Sequence, residues 1–98
     1  YGDGVIKVIF TPGHTPGHQS VLVNLPKTGH MLFTGDACYT GDHWCDKCLP
    51  GLVSSSSDAA ESVKKLRRVA KEYNAKVVWG HDPVSWLDWK KAPMFYYD

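Results

Sequence analysis

Short apolar runs broken by turn residues fill the first third of the chain, and their period is that of strands. Val5-Ile-Lys-Val-Ile-Phe10 is β-branched and aromatic with a single lysine, which predicts a mostly buried strand. In Gln19 to Leu25, Val21 and Val23 alternate with Leu22 and Asn24, predicting a second strand. Pro26-Lys-Thr-Gly29 reads as a hairpin turn, and His30 to Thr34 as a third strand. Three strands in this order predict an antiparallel meander.

Residues 37–57 show no steady period and are read as a long loop. The segment contains Cys38, Tyr39, His43, Trp44, Cys45 and Cys48, and it ends in the Ser54–Ser57 run. The period then becomes helical. Ala59, Val63, Leu66, Ala70 and Tyr73 recur on one stripe, with Asp58 as N-cap and Glu61 three residues on as a capping-box variant. Lys64, Lys65, Arg67, Arg68 and Lys71 are read as its solvated face, with cations toward the C-terminal end of the dipole. Asn74 closes the helix, and Ala75 to Trp79 predicts a fourth strand. Pro83 can begin a short helix over Val84 to Lys90, and the aromatic tail Met94-Phe-Tyr-Tyr97 is expected to pack down. With no repeat and no internal boundary, residues 1–98 are read as one domain.

Composition narrows the classes. Ninety-eight residues with 43% hydrophobic and 21% charged content suit one small globular domain. A net charge of +1 gives no bulk attraction to nucleic acid or anionic membrane, and no apolar run is long enough for a transmembrane helix. Three cysteines without a secretory pattern lead to the expectation of a reducing, cytoplasmic setting. The chain starts at Tyr-Gly-Asp-Gly and enters a strand directly, so it is expected to be a piece of something longer.

Chemistry concentrates at strand ends. Thr11-Pro-Gly-His-Thr-Pro-Gly-His18 follows the first strand; Pro12 and Pro16 fix φ, while Gly13 and Gly17 permit angles closed to other residues. Phe33-Thr-Gly-Asp36 and Val77-Val-Trp-Gly-His-Asp82 each repeat the order of apolar strand, glycine and metal-binding group. His14, Asp36 and His81 are therefore expected to form one metal centre from distant parts of the chain. Imidazole and carboxylate suit zinc or similar divalent ions, and a carboxylate can bridge two ions roughly 3.5–4 Å apart. Cys45-Asp-Lys-Cys48, with Cys38 and His43, allows a different reading as a small structural zinc site, although one C-x-x-C supplies too few ligands alone. Trp44, Trp79, Trp86 and Trp89 can serve as core or line an apolar ligand pocket.

The three motifs carry a resemblance over nearly the whole chain. With Thr11-Pro-Gly-His-Thr-Pro-Gly-His-Gln-Ser20, Thr34-Gly-Asp-Ala-Cys-Tyr39 and Gly80-His-Asp-Pro83, the sequence resembles hydrolases of the metallo-β-lactamase fold. It is most similar to the N-acyl-homoserine lactonases that quench bacterial quorum sensing. That narrower likeness lies in Tyr39, three residues after the aspartate, and in Asp58-Ala-Ala-Glu-Ser-Val-Lys-Lys-Leu66 leading to Val-Val-Trp-Gly-His-Asp.

The resemblance implies an α/β (α+β) fold, the C-terminal half of an αββα sandwich with mainly antiparallel strands and one long helix. His14 resembles the ligand histidine of the third family motif, Asp36 the bridging aspartate, and His81 the last histidine ligand. His18, the repeat histidine, is read as a supporting group. Asp82 is read as a turn or helix-start residue. Tyr39 resembles the phenol that contacts a lactone carbonyl, so Tyr39 and Asp36 are the expected catalytic groups. Two Zn2+ per complete site are implied, with other divalent metals also acceptable. The implied reaction is opening of the N-acyl-homoserine lactone ring by a metal-bound hydroxide, on a small-molecule substrate without nucleic acid or membrane. The alternatives are a glyoxalase II-like thioesterase, another ester or thioester hydrolase of the fold, or a non-catalytic half-fold remnant.

One family motif is absent. His-x-His-x-Asp-His, which supplies the first metal's ligands, does not occur in these residues. The chain is thus expected to be a partial domain with an incomplete site. An open half-sandwich also leaves an apolar sheet surface available for self-association.

Overall fold

The computed structural model describes residues 2–46, 48, 51–91 and 97–98. The elements are β1 (Ile6–Phe10), β2 (Gln19–Leu25), β3 (Gly29–Gly35), α1 (Gly41–Trp44), α2 (Ser56–Tyr73), β4 (Lys76–Trp79) and α3 (Pro83–Trp86). They make one four-stranded sheet in the order β1-β2-β3-β4. The first three strands pair antiparallel in chain order, as the hairpin signals predict. After the α2 crossover, β4 pairs parallel to β3, and the register shifts between Phe33 and Gly35, next to the turn that carries Asp36. The mixed α/β class expected from the sequence is the class observed.

Alternation decides which face of the sheet is covered. Leu22 and Leu32 are register partners on the face under α2, and they join Leu66, Ala70 and Ala37 in the core. Leu32 and Leu66 are fully buried, and Val63 lies on the same helix stripe. The opposite face is open. Val8 is 56% and Phe10 54% exposed, and Phe33 is also exposed. This corrects the expectation that β1 is mostly buried. Edge strand β1 turns Ile6, Val8 and Phe10 away from α2, and within this strand only Ile9 packs against the core.

Three boundaries move for physical reasons. The N-cap of α2 is Ser55, not Asp58; Ser55 Oγ accepts the Asp58 N–H at 3.2 Å. Asn74 closes the helix as expected, in the left-handed conformation at φ 49°. The expected helix after Pro83 is a single turn capped by Asp82, whose side chain accepts the Val84 and Ser85 N–H groups. In the segment read as loop, Thr40 caps the short helix α1 by accepting the His43 N–H at 3.2 Å. Arg67, expected on the solvated face of α2, ties this segment down instead: its guanidinium donates to the Trp44 carbonyl at 2.7 Å and pairs with Asp46 at 2.9 Å. Met94, Phe95 and Tyr96 of the expected aromatic tail lie outside the described residues. Among those described, no helix is long and apolar enough to cross a membrane.

Candidate metal centre

The site begins with the loop after β1. Gly13 sits at φ +140°, and a Cβ placed there would lie 2.4 Å from Ala59 backbone atoms. Only glycine lets this loop pack directly on the first turn of α2. The Gly13 carbonyl accepts the Ser54 N–H at 2.7 Å and the Ser55 N–H at 3.0 Å, while Ser62 Oγ donates to the Pro12 carbonyl at 2.7 Å. The serine run that looked featureless in the sequence is therefore the fastening for the His14 loop. Gly17 has open space around it and no positive φ, so the loop uses one of its two glycines for shape.

Three side chains predicted from the sequence meet at the strand ends. Asp36 lies in the middle: its Oδ1 is 2.7 Å from His81 Nε2 and its Oδ2 is 3.4 Å from His14 Nε2. Tyr39 joins them, with its hydroxyl 3.2 Å from His14 Nδ1 and its ring edge-on to that of His81. The cluster opens to solvent, since the Asp36 side chain is 42% and the His81 side chain 62% exposed.

The donor chemistry fits a divalent cation. His14 Nδ1 lies 3.3 Å from the Leu52 carbonyl, which can only accept, so a hydrogen bond there places the proton on Nδ1. Nε2 then presents a lone pair toward a carboxylate oxygen at 3.4 Å, longer than a good N–H···O bond. Two acceptors facing each other across that gap suit a shared cation. The contacts are nonetheless pairwise. Among the described residues, no three His, Cys, Asp or Glu side chains are arranged to hold an ion by themselves. The same finding gives no support to the cysteine reading. Cys38 is buried, and burial pushes its thiol up to about 12, a poor state for a ligand, while Cys45 and Cys48 are exposed.

Two supporting histidines also emerge. His18 Nε2 accepts the backbone N–H of Asp36 at 3.0 Å. His43 Nδ1 accepts the backbone N–H of Tyr39 at 3.2 Å, and burial holds its pKa below the usual imidazole range, with Asp46 opposing. His43 entered the sequence reading only as a zinc ligand beside the cysteines, because its i+4 spacing from Tyr39 has no meaning until α1 is recognised as a helix. Trp44 packs on the core and tilts against Trp79, which favours the core reading for this pair. Trp86 and Trp89 line a groove beside His81 and Asp82.

Known proteins resemble this chain in sequence and fold. A family model for the Metallo-beta-lactamase superfamily matches residues 1–81. The chain is 56% identical over 96 residues to the N-acyl homoserine lactonase AttM of Rhizobium radiobacter, covering 98% of this chain and 36% of that protein. A solved N-acyl homoserine lactone hydrolase, with the product N-hexanoyl-L-homoserine at its catalytic metal center, superposes with a TM-score of 0.85 at 31% identity. That match covers 92% of this chain and 36% of the other. AidC, a dizinc quorum-quenching lactonase, shares the fold at a TM-score of 0.66 and 18% identity, over 80% of this chain and 27% of that one. The chain thus spans about a third of the length of the curated relatives it matches.

Proposed function

The chain belongs to the metallo-beta-lactamase superfamily, and on that premise we propose that its site serves a metal-dependent hydrolase opening the lactone ring of N-acyl homoserine lactones. The observation that carries this reading is the Asp36 carboxylate shared between His14 and His81, with the Tyr39 hydroxyl against His14. Likeness to lactonases over almost all of the chain supports the substrate class.

His14, Asp36 and His81 are the residues that would hold zinc, contributing part of the ligand set of two ions. When bound, such ions supply Lewis acidity toward a carbonyl oxygen and lower the pKa of water toward ~7. The chain's own groups do the rest. With two oxygens directed at different imidazoles, Asp36 can serve both sides of the site. With the His14 proton on Nδ1, shared between the Leu52 carbonyl and the Tyr39 oxygen, the phenolic proton is left to donate. A donor so placed can stabilise the charge that develops on a lactone carbonyl oxygen. His14, in turn, is kept in register by the fastening of its loop to α2.

The test uses the full protein that carries this chain. Zinc content and ring opening of N-hexanoyl homoserine lactone are measured beside hydrolysis of a glutathione thioester. His14→Ala and His81→Ala should each weaken metal binding by more than the ~10–100-fold that loss of an outer-shell partner costs. Metal binding with thioester hydrolysis and intact lactone would replace this substrate class with the thioesterase one. Unchanged metal binding in both variants would leave a non-catalytic module.

A further inference from the structure

His18 is joined to the Asp36 turn by a ring of hydrogen bonds whose direction is fixed at both ends. The Asp36 N–H can only donate, and it donates to His18 Nε2 at 3.0 Å. Nε2 must therefore carry the lone pair, and the proton sits on Nδ1, which is 2.9 Å from Thr11 Oγ1. At the other end, the Thr34 carbonyl can only accept, and it accepts from Ser20 Oγ at 3.0 Å. Ser20 has then spent its proton, so the 2.9 Å contact between Thr11 and Ser20 runs from the Thr11 hydroxyl to the Ser20 oxygen. The ring leaves the main chain at Asp36 and returns at Thr34, with Gly35 between them.

Burial makes the order hard to exchange with water. Thr11 and Thr34 are fully buried and Ser20 is 1% exposed. Gly35 takes φ +57°, and a Cβ there would stand 3.0 Å from His18 Nε2, so the imidazole approaches the turn as closely as glycine allows. Both His18 nitrogens are committed within this ring, which leaves none to face an ion.

We propose that His18 is a positioning residue: fixed as the neutral Nδ1–H form, it grips the Asp36 backbone and so aims the Asp36 carboxylate between His14 and His81. The consequence for ion binding rests on the reading of Asp36 as a shared ligand; the grip itself does not. The sequence reading of His18 as a supporting group acquires a definite partner, Asp36, and a definite tautomer.

The experiment is nitrogen-15 NMR of the full protein, with hydrogen exchange at the Asp36 amide and zinc affinity by chelator competition. In the wild type, His18 should show a protonated Nδ1 and an unprotonated Nε2, and the Asp36 amide should be protected. His18→Leu should lose that protection and bind zinc ~10–100-fold more weakly. His18→Gln, which offers an acceptor oxygen near the same place, should recover part of both. A His18 protonated on Nε2, or an Asp36 amide equally protected in wild type and His18→Leu, overturns the proposal whatever the metal does. If His14→Ala and His81→Ala leave zinc binding unchanged while the tautomer and the protection are as stated, the grip stands and the metal reading falls.

Discussion

The Asp82 carboxylate accepts the Gly41 N–H at 3.0 Å, so the turn that carries His81 is bonded to the start of α1, just beyond Tyr39. Backbone bonds continue the same seam: the His81 N–H donates to the Tyr39 carbonyl at 2.9 Å and the Gly80 N–H to the Cys38 carbonyl at 3.1 Å. Two side chains of the candidate site are thus set by one strip of main chain. Asp82 adds a charge to that strip.

That charge makes a pH prediction. The Gly41 N–H foremost, then those of Ser85 and Val84, hold the Asp82 carboxyl below the usual carboxylate range, against a smaller opposing effect of burial. A depressed folded pKa stabilises the fold above the unfolded value of about 3.9, and this is lost as pH falls through the folded value. Urea unfolding should show wild type more stable than Asp82→Asn at about pH 6, with the gap shrinking below about pH 4. A gap of equal size at both pH values would contradict the assignment.

Tyr39→Phe removes the hydroxyl next to His14 and leaves the ring contacts with His14, His43 and His81. In the full protein, kcat for lactone opening should fall by roughly 10²–10³ if the phenol is an oxyanion donor. Zinc content should stay as in wild type. Wild-type kcat in this variant would make Tyr39 a packing residue.

The two glycines of the loop separate shape from mere permissiveness. Gly13→Ala puts a methyl into the Ala59 backbone at φ +140°, and overpacking of this kind costs about 1–3 kcal/mol before backbone strain is added. Gly17→Ala meets nothing within 4 Å and should stay within about 0.5 kcal/mol of wild type. Equal losses in chemical denaturation would mean that the loop is not seated on α2.

Core and surface leucines give the matching contrast. Leu66 is 0% exposed under the sheet and Leu87 is 77% exposed at the C-cap of α3. Leu66→Ala should cost about 2–5 kcal/mol, and Leu87→Ala should be nearly silent. Similar midpoints for the two variants would move the core away from α2.

Much of this was legible in the sequence where one signal had one meaning. Alternation at Val21–Asn24 and the stripe Ala59–Tyr73 each had a single period, and β2 and α2 follow. The motif histidines and Asp36 stood out because each follows an apolar strand and a glycine. Other features depended on distant partners. Ser55 could be chosen over Asp58 as cap only by seeing Gly13 hold the Ser54 and Ser55 amides. The parallel pairing of β4 rests on Leu32 and Val77 meeting across α2, which no local pattern encodes. β1 reads as buried because composition reports what a strand can cover; its neighbours decide whether it is covered.

The crossover between β3 and β4 sets the order in which the site can come into being. His14 and Asp36 belong to a meander of neighbouring strands, whereas His81 reaches Asp36 across a separation of 45 residues. Closing that span carries a loop entropy that local hairpins do not, roughly (3/2)RT ln n for n residues. The last imidazole thus joins by a longer closure than the one that brings His14 to Asp36, and an ion that needs all three groups would have to wait for it. On the proposed metal reading, stopped-flow zinc uptake by the full protein should be slowed by changes in the α2 segment and insensitive to the stability of the β1–β2 hairpin; uptake that follows the hairpin instead would contradict this order.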